Sequence, residues 1–134
     1  MPKSKRKKIL WVEDEAELIG VYKETIRTMG GIDVEFIQLG QEAIDRVKEI
    51  EEGKSEKPDL IMLDLLLPDI NGDRVCEVIR ETSATKNIPV FVLTNYSGEQ
   101  MAYKMKEDLK VKKYLIKTEW EPSKLMPLLK KTLK

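Results

Sequence analysis

The sequence contains no histidine, and its 134 residues include a single cysteine, Cys76. The missing histidine excludes histidine-based nucleophilic catalysis, histidine metal ligands and histidine phosphotransfer within the chain. A single cysteine excludes an internal disulfide, and its helical spacing within RVCEVIRE predicts a small core residue. Because no secretion signal is found either, these absences predict a reducing, cytoplasmic location.

Long apolar runs are also missing, since ILWV at residues 9–12 is interrupted by EDE well before the length of a membrane span. We therefore expect no membrane partner. The 24 basic and 24 acidic residues balance, but five of the basic ones lie in KSKRKK at residues 3–8, which leaves 19 against 24 elsewhere. That acidic remainder argues against a nucleic-acid partner for the folded part. Residues 1–8 are predicted to form a flexible basic leader, and residues 9–134 a single folded domain.

Strand and helix patterns alternate five times along this domain. The predicted strands are residues 7–13, 33–37, 59–64, 88–95 and 112–117. The predicted helices are residues 14–31 with Asp14 as the cap, 40–52, 72–82, 98–110, and 122–134 with Ser123 as the cap and Pro127 as a disturbance. Such alternation predicts an α/β fold with a doubly wound parallel sheet and helices on both faces.

Charged residues or a threonine follow the apolar run of four of the five predicted strands. In a doubly wound sheet the ligand crevice lies at the carboxyl ends of the strands, so these residues are expected to converge there. The second strand delivers only Gln38 and is predicted to be an edge strand. The other four deliver Glu13 and Asp14, then Asp64, Thr94 and Lys117.

These side chains together suit metal binding and phosphoryl transfer. Three converging carboxylates repel one another, and a hard cation with oxygen ligands such as Mg²⁺ relieves the repulsion. A carboxylate can attack phosphorus to form an acyl phosphate. We expect Asp64 to be that nucleophile. Lys117 and the Thr94 hydroxyl would then stabilise the phosphoryl oxygens. Each residue alone is more simply explained as a cap, a turn former or an edge charge, but their joint placement favours a phosphoryl-accepting site.

The same residues make the sequence similar, over essentially its whole length, to the receiver domains of two-component response regulators. The resemblance rests on the acidic pair ED, Asp64, Pro68, Gly72, LT ending at Thr94, and YLIK ending at Lys117. It implies a flavodoxin-like fold of five strands in the order 2-1-3-4-5. It also implies roles for particular residues: Asp64 accepts the phosphoryl group, Asp14, Asp64, Glu13 and the backbone carbonyl of Leu66 hold magnesium, and Thr94 and Tyr114 form a switch.

The resemblance further implies partners. The phosphoryl donor would be a sensor histidine kinase or a histidine phosphotransfer protein, and the chain would be a phosphoacceptor rather than an enzyme, apart from self-phosphorylation and self-dephosphorylation. A downstream protein would bind the surface made by the fourth helix, the fifth strand and the fifth helix, including Met101, Lys104 and Lys113. The expected assembly is a monomer or a phosphorylation-linked dimer.

Three positions depart from the family pattern: Thr118 replaces a proline after Lys117, Asn95 replaces a small residue, and Leu66 is an apolar gate two residues after Asp64. The alternative function is a pseudo-receiver that binds proteins without being phosphorylated. A phosphatase of the haloacid dehalogenase kind would need an acid where Leu66 stands. A nucleotide-binding protein or a flavodoxin would need a phosphate-binding loop, and VEDEAEL contains no glycine.

Overall fold

The computed structural model describes residues 6–134, in which five strands alternate with five α-helices. The strands are β1 (Lys7–Val12), β2 (Ile32–Ile37), β3 (Leu60–Leu63), β4 (Val90–Thr94) and β5 (Lys113–Ile116). The helices are α1 (Ala16–Met29), α2 (Gly40–Glu51), α3 (Gly72–Glu81), α4 (Glu99–Tyr103) and α5 (Pro122–Thr132). None of the helices in this range is both long and apolar enough to cross a membrane.

All five strands run parallel in one sheet of order β2-β1-β3-β4-β5, which confirms the predicted fold class. β2 lies at the edge, as predicted. Because β1 and β3 are neighbours and the chain winds outward from them in both directions, the carboxyl ends of β1 and β3 flank the point where the strand order reverses.

Two hydrophobic layers cover the sheet, one on each face. Successive side chains of a strand point to opposite faces, so β1 sends Leu10 and Val12 to one layer and Ile9 and Trp11 to the other. The first layer is completed by α2, α3 and the segment after α4, and the second by α1 and α5. Trp11 stacks on Tyr22 of α1 with ring centroids 4.4 Å apart. Both layers leave the strand ends free to present polar groups.

Two predicted helix caps are wrong. α1 begins at Ala16 with Glu15 as its N-cap, not at Asp14, because the backbone N–H of Glu15 donates to the carboxylate of Glu13 and the chain stays extended through Glu15. α5 begins at Pro122 rather than after Ser123. Proline suits the first helical position because its missing N–H would have no partner there.

Two further boundaries differ from those predicted. β1 includes Lys7 and Lys8, which pair with Ile32 and Asp33 of β2, so the predicted leader of residues 1–8 overlaps the sheet; residues 1–5 lie outside the described residues. The predicted helix over residues 98–110 is divided into α4 and a π-helical segment, Lys104–Asp108, where the N–H of Leu109 donates to the carbonyl of Lys104.

Candidate phosphoryl-acceptor site

The carboxylates of Glu13 and Asp64 stand at the ends of neighbouring strands. Each residue extends its strand by one ladder bond: the N–H of Glu13 donates to the carbonyl of Ile37 at 2.9 Å, and the N–H of Asp64 to that of Val12 at 3.0 Å. Glu13 is fully buried, and only 3% of Asp64 is exposed. The apolar runs of β1 and β3 therefore deliver two carboxylates into one buried crevice.

Both oxygens of the Asp64 carboxylate are held. Oδ1 accepts a hydrogen bond from the backbone N–H of Leu66 at 3.0 Å, and Oδ2 accepts one from Nζ of Lys117 at 2.8 Å. The loop after Asp64 is drawn tightly against α3, where the N–H of Gly72 donates to the carbonyl of Leu65 at 2.9 Å. The carboxylate is therefore fixed by its own loop on one side and by the end of β5 on the other.

Lys117 is the cation of the site and contacts three carboxylates. Its Nζ lies 2.8 Å from Oδ2 of Asp64, 2.9 Å from Oε1 of Glu13 and 2.9 Å from Oε1 of Glu15. Desolvation lowers the pKa of Lys117, but the hydrogen bonds to Asp64, Glu13 and Glu15 outweigh it, and the net pKa is raised. The side chain therefore stays protonated at neutral pH.

Glu13 is the most deeply buried acid of the site, and its carboxylate is paired with Lys117. Nζ of Lys117 lies 2.9 Å from Oε1 and donates to Oε2 at 3.2 Å. Desolvation raises the pKa of Glu13, and the hydrogen bonds from Lys117 and the Glu15 backbone offset only part of this effect. Because a single ammonium serves Glu13, Glu15 and Asp64, the acids outnumber the cation, and a bound metal ion would compensate the remaining negative charge.

Asp14 joins the two buried acids in a cluster suited to a metal ion. One carboxylate oxygen from each of Glu13, Asp14 and Asp64 lies within 4.8 Å of the others. Asp14 is partly exposed, so the cluster opens to solvent on its side. An all-oxygen, open set of carboxylates matches the preference of Mg²⁺, which keeps several waters when it binds protein.

Thr94 and Tyr114 lie on the β4 and β5 side of the site. Thr94 is fully buried at the end of β4, and its Oγ1 accepts a hydrogen bond from the N–H of Tyr96 at 3.3 Å. Within residues 6–134, no hydrogen bond joins Thr94 to Asp64. Tyr114 is half-buried, and its hydroxyl donates to the carbonyl of Tyr96 at 2.7 Å. The two residues are thus linked through the backbone of Tyr96.

The positions that depart from the family pattern surround the site. Leu66 is 49% exposed, and Asn95 is exposed at the end of β4. The peptide bond between Lys117 and Thr118 is trans, and Lys117–Glu119 form a 3₁₀ turn that still directs Lys117 to Asp64. The missing proline therefore does not prevent the lysine from reaching the carboxylate.

Only part of the predicted partner surface is exposed to solvent. Lys113 is exposed, and Met101 is partly buried against the core. Lys104 turns toward α3 instead, where its Nζ lies 2.9 Å from Asp73 and 3.2 Å from Glu77.

Two residues of the site region were not identified from the sequence. Glu15 contacts Lys117 from across the crevice, and its only signal was its position directly after the acidic pair. Asp69 accepts hydrogen bonds from the N–H groups of Gly40 and Gln41, at 2.8 and 2.9 Å, and so caps α2 from the loop that follows Asp64. The turn residues of that loop gave no indication of a partner 29 residues earlier in the chain.

Comparison with known proteins assigns the chain to one family. The sequence model of the family described as the response regulator receiver domain matches residues 9–130. The chain belongs to this family and is a receiver domain of the two-component response regulator kind.

The curated relatives include longer proteins. The DNA-binding response regulator MtrA of Mycobacterium tuberculosis strain H37Rv is 37% identical over 89 residues, which is 66% of this chain and 35% of that protein. The DNA-binding dual master transcriptional regulator RpaA of Synechocystis is 37% identical over 90 residues, 65% of this chain and 33% of that protein. The chain thus matches about a third of the length of these relatives.

Solved structures of similar chains share the fold. The phosphorylated cyanobacterial phytochrome response regulator RcpA has a TM-score of 0.79 and 31% identity, with 94% of this chain and 90% of that chain covered. The Mn²⁺-bound form of the response regulator Rcp1 has a TM-score of 0.75 and 30% identity, with 95% and 89% covered. The chemotaxis protein CheY4 of Vibrio cholerae, at 23% identity and a TM-score of 0.79, shares the fold, with 96% and 99% covered.

Proposed function

We propose that this receiver domain accepts a phosphoryl group on Asp64 from the phosphohistidine of a sensor histidine kinase or a histidine phosphotransfer protein. The observation that carries the proposal is the 2.8 Å contact between Oδ2 of Asp64 and Nζ of Lys117 in a crevice where Asp64 is 3% exposed. A carboxylate held between a backbone N–H and an ammonium group is oriented for attack. The ammonium group of Lys117 is also already in place to stabilise the negative charge of the incoming phosphoryl group.

The reaction needs no general base, because an ionised carboxylate has no proton to lose. An oxygen of Asp64 forms the new bond to phosphorus as the bond between phosphorus and the donor's imidazole nitrogen breaks, and the electron pair of that bond remains on the nitrogen. Lys117 shifts from Oδ2 to an oxygen of the phosphoryl group, and the hydroxyl of Thr94 donates to another. The product is an acyl phosphate on Asp64.

The acid cluster supports Mg²⁺ as the cofactor. Asp14 and Asp64 would hold the ion, with Glu13 directly or through water and the backbone carbonyl of Leu66 as a further oxygen. The 4.8 Å grouping of the three acids supports this assignment, and Rcp1 is a similar chain with a bound Mn²⁺. When bound, the ion supplies positive charge to the phosphoryl oxygens and relieves the repulsion among the carboxylates.

Receiver domains in general act as signalling modules, and we infer that this chain passes its signal to a protein partner rather than catalysing a reaction on a separate substrate. The exposed surface beside β5, which includes Lys113, would bind that partner. MtrA and RpaA are named as DNA-binding regulators. For the described residues we nevertheless propose a protein partner, a cytoplasmic location, and a monomer or phosphorylation-linked dimer.

Phosphorylation with a small donor tests the proposal directly. The parent protein is incubated with acetyl phosphate and Mg²⁺ and examined by intact-mass spectrometry, together with Asp64→Asn and the control Asp45→Asn. Asp45 is an exposed acid on α2, so its variant makes the same change away from the crevice. We expect a single phosphoryl adduct on the parent and on Asp45→Asn, and none on Asp64→Asn. An unlabelled parent would favour the pseudo-receiver alternative, and a labelled Asp64→Asn would show that another residue is the acceptor.

A further inference from the structure

A basic cleft lies at the amino ends of β4 and β5, on the edge of the sheet opposite the phosphoryl-acceptor site. It has a volume of about 450 Å³ and is formed by the end of α3, the loop before β4 and the segment that leads from the π-helical turn into β5. None of the described residues that line it is acidic, whereas five are basic: Arg80, Lys86, Lys106, Lys110 and Lys112. The four lysines are exposed, so the cleft presents positive charge to solvent.

The protein does not compensate this charge with its own acids. Residues 9–134 carry 19 basic and 24 acidic side chains, so acids outnumber bases in the folded part. Nevertheless, none of the five basic side chains of the cleft forms a salt bridge with an acid in residues 6–134. Elsewhere Lys8, Arg46 and Lys104 each pair with one or two acids. An anion from outside would therefore interact with the whole charge of the cleft.

Arg80 holds the basic cleft in shape. Its Nε donates to the carbonyl of Leu109 at 2.7 Å, and its Nη2 to that of Lys110 at 3.3 Å. Its Nη1 donates to the carbonyls of Lys86 and Ile88 at 3.1 and 2.8 Å. These bonds tie the loop before β4 to the loop before β5, so the backbones that carry the lysines are fixed around the cleft. The guanidinium keeps its positive charge, because its partners are carbonyl dipoles rather than anions.

The cations of the cleft favour a small ligand of high charge density. A single negative charge paired with an exposed lysine contributes little, because ordering the long side chain costs conformational entropy. A chain of phosphate groups contacts several ammonium groups at once and offsets that cost. Lysine binds phosphate as a point charge and needs no fixed geometry to do so. A volume of about 450 Å³ is also in the range of small-ligand sites.

Acidic residues beside the cleft argue against a long polyanion such as a nucleic acid. Glu81 follows Arg80 in the chain, and Glu107 and Asp108 follow Lys106; all three acids are exposed. A nucleic acid carries closely spaced phosphates along its whole length. A strand that entered the cleft would bring further phosphates toward these carboxylates, whereas a compact ligand can remain among the lysines.

We propose that the basic cleft is a binding site for a small oligophosphate anion, of the class of inorganic triphosphate or the phosphate chain of a nucleotide. The phosphate oxygens bind the exposed lysines, and Arg80 keeps the two lysine-bearing loops together. Because the cleft lies at the opposite ends of the strands from Asp64, this site goes beyond the proposed function and does not depend on it.

Calorimetric titration with sodium triphosphate at constant ionic strength tests the proposal. The protein is first freed of metal ions on a chelating resin, because a metal at the acid cluster would offer triphosphate a second site. Lys86→Gln/Lys106→Gln removes two charges from different segments of the cleft. The control Lys130→Gln/Lys131→Gln removes two exposed charges from the end of α5.

We expect the parent to bind one triphosphate. The affinity of the cleft variant should be about five- to thirtyfold lower, on the scale of two exposed charge contacts. The control should stay within about twofold of the parent, because salt screens charges that are distant from the ligand. A parent that binds no triphosphate, or equal losses in the two variants, would overturn the proposal.

Backbone amide spectra locate the ligand. Triphosphate should shift the ¹H–¹⁵N resonances of residues 86–88 and 109–112 and leave those of residues 64–66 and 130–134 in place; the reverse pattern would place the ligand elsewhere and overturn the site. A hexaglutamate peptide and a DNA oligonucleotide are titrated under the same conditions. Tighter binding of either would make the cleft a docking surface for an acidic protein or a nucleic acid, against the proposal. A parent that is phosphorylated on Asp64 but binds no triphosphate would overturn this inference and leave the proposed function intact.

Discussion

A Cβ atom on Gly72 would lie 2.2 Å from the backbone carbonyl oxygen of Asp64. The next nearest atom, Cα of Leu65, would be 2.6 Å away. Both neighbours are backbone atoms, which cannot move aside as a side chain can. The start of α3 therefore packs directly on the loop that aims the Asp64 carboxylate, and only glycine permits that approach.

Gly72→Ala should therefore both destabilise the fold and disturb the site. We expect the free energy of unfolding in urea to fall by about 1–3 kcal/mol, as in other overpacked positions, and the rate of phosphoryl uptake from acetyl phosphate to fall as well. Gly20→Ala is the control: Gly20 lies in α1, and no atom would be within 4 Å of an added Cβ. It should gain about 0.5–1 kcal/mol from higher helix propensity. A neutral Gly72→Ala would contradict the packing argument.

Magnesium binding should be visible through Trp11 and should depend on Asp14. Trp11 is buried on β1 two residues before Glu13, so a cation at the strand end should change its fluorescence. Trp120 follows Lys117 closely and would confuse the signal, so the titration is made in a Trp120→Phe background. Asp14→Ala should weaken the apparent affinity by at least about tenfold, a loss that removal of even a supporting group can produce in metal sites.

A matched change of charge is provided by Asp45→Ala, which removes an exposed acid from α2. It should leave the magnesium titration unchanged. Parent-like binding in Asp14→Ala would remove Asp14 from the proposed metal ligands.

The cap supplied by Asp69 should make stability depend on pH in acid. Hydrogen bonds from the backbone N–H of Gln41 and, more weakly, of Gly40 lower the pKa of Asp69, although desolvation opposes them. The folded protein therefore binds this proton less readily than the unfolded chain. The contribution to stability is present above the ordinary Asp pKa of about 3.9 and is lost as the pH falls through the lower folded value.

Asp69→Asn should accordingly be less stable than the parent near neutral pH, and the difference should shrink below about pH 4. Urea unfolding curves recorded across this pH range measure it. A deficit that stays constant into acid would mean that the charge of Asp69 is not what stabilises the start of α2.

Cys76 should be unreactive in the folded protein. Its side chain is buried in α3, and burial raises the pKa of the thiol to about 11. Only the thiolate attacks a disulfide reagent, so labelling at pH 8 should be slow in the native protein and rapid in urea. Because Cys76 is the chain's only thiol, its labelling rate reports unfolding directly. Fast labelling of the native state would contradict its burial.

The sequence could predict the sheet because apolar runs bounded by polar residues identify buried strands and their ends. That is why Asp64 and Lys117 could be assigned to one crevice before their 2.8 Å contact was seen. The contact of Glu15 could not be predicted, because it joins residues 102 positions apart and depends on where α1 begins. The cap was assigned wrongly to Asp14 because the carboxylate of Glu13, two residues earlier, accepts from the N–H of Glu15, and the chain stays extended through Glu15. A local pattern does not contain a tertiary contact such as that of Glu15 with Lys117.

The link from Thr94 through Tyr96 to Tyr114 predicts how phosphorylation would be transmitted. Oγ1 of Thr94 now accepts from the N–H of Tyr96, whose carbonyl accepts from the Tyr114 hydroxyl at 2.7 Å. If Thr94 turns toward a phosphoryl group on Asp64, the Tyr96 backbone is released and Tyr114 is free to turn inward. Thr94→Ala should therefore still be phosphorylated, yet show little of the change in amide exchange across residues 98–117 that phosphorylation produces in the parent. Parent-like exchange changes in Thr94→Ala would mean that the signal leaves the site by another route.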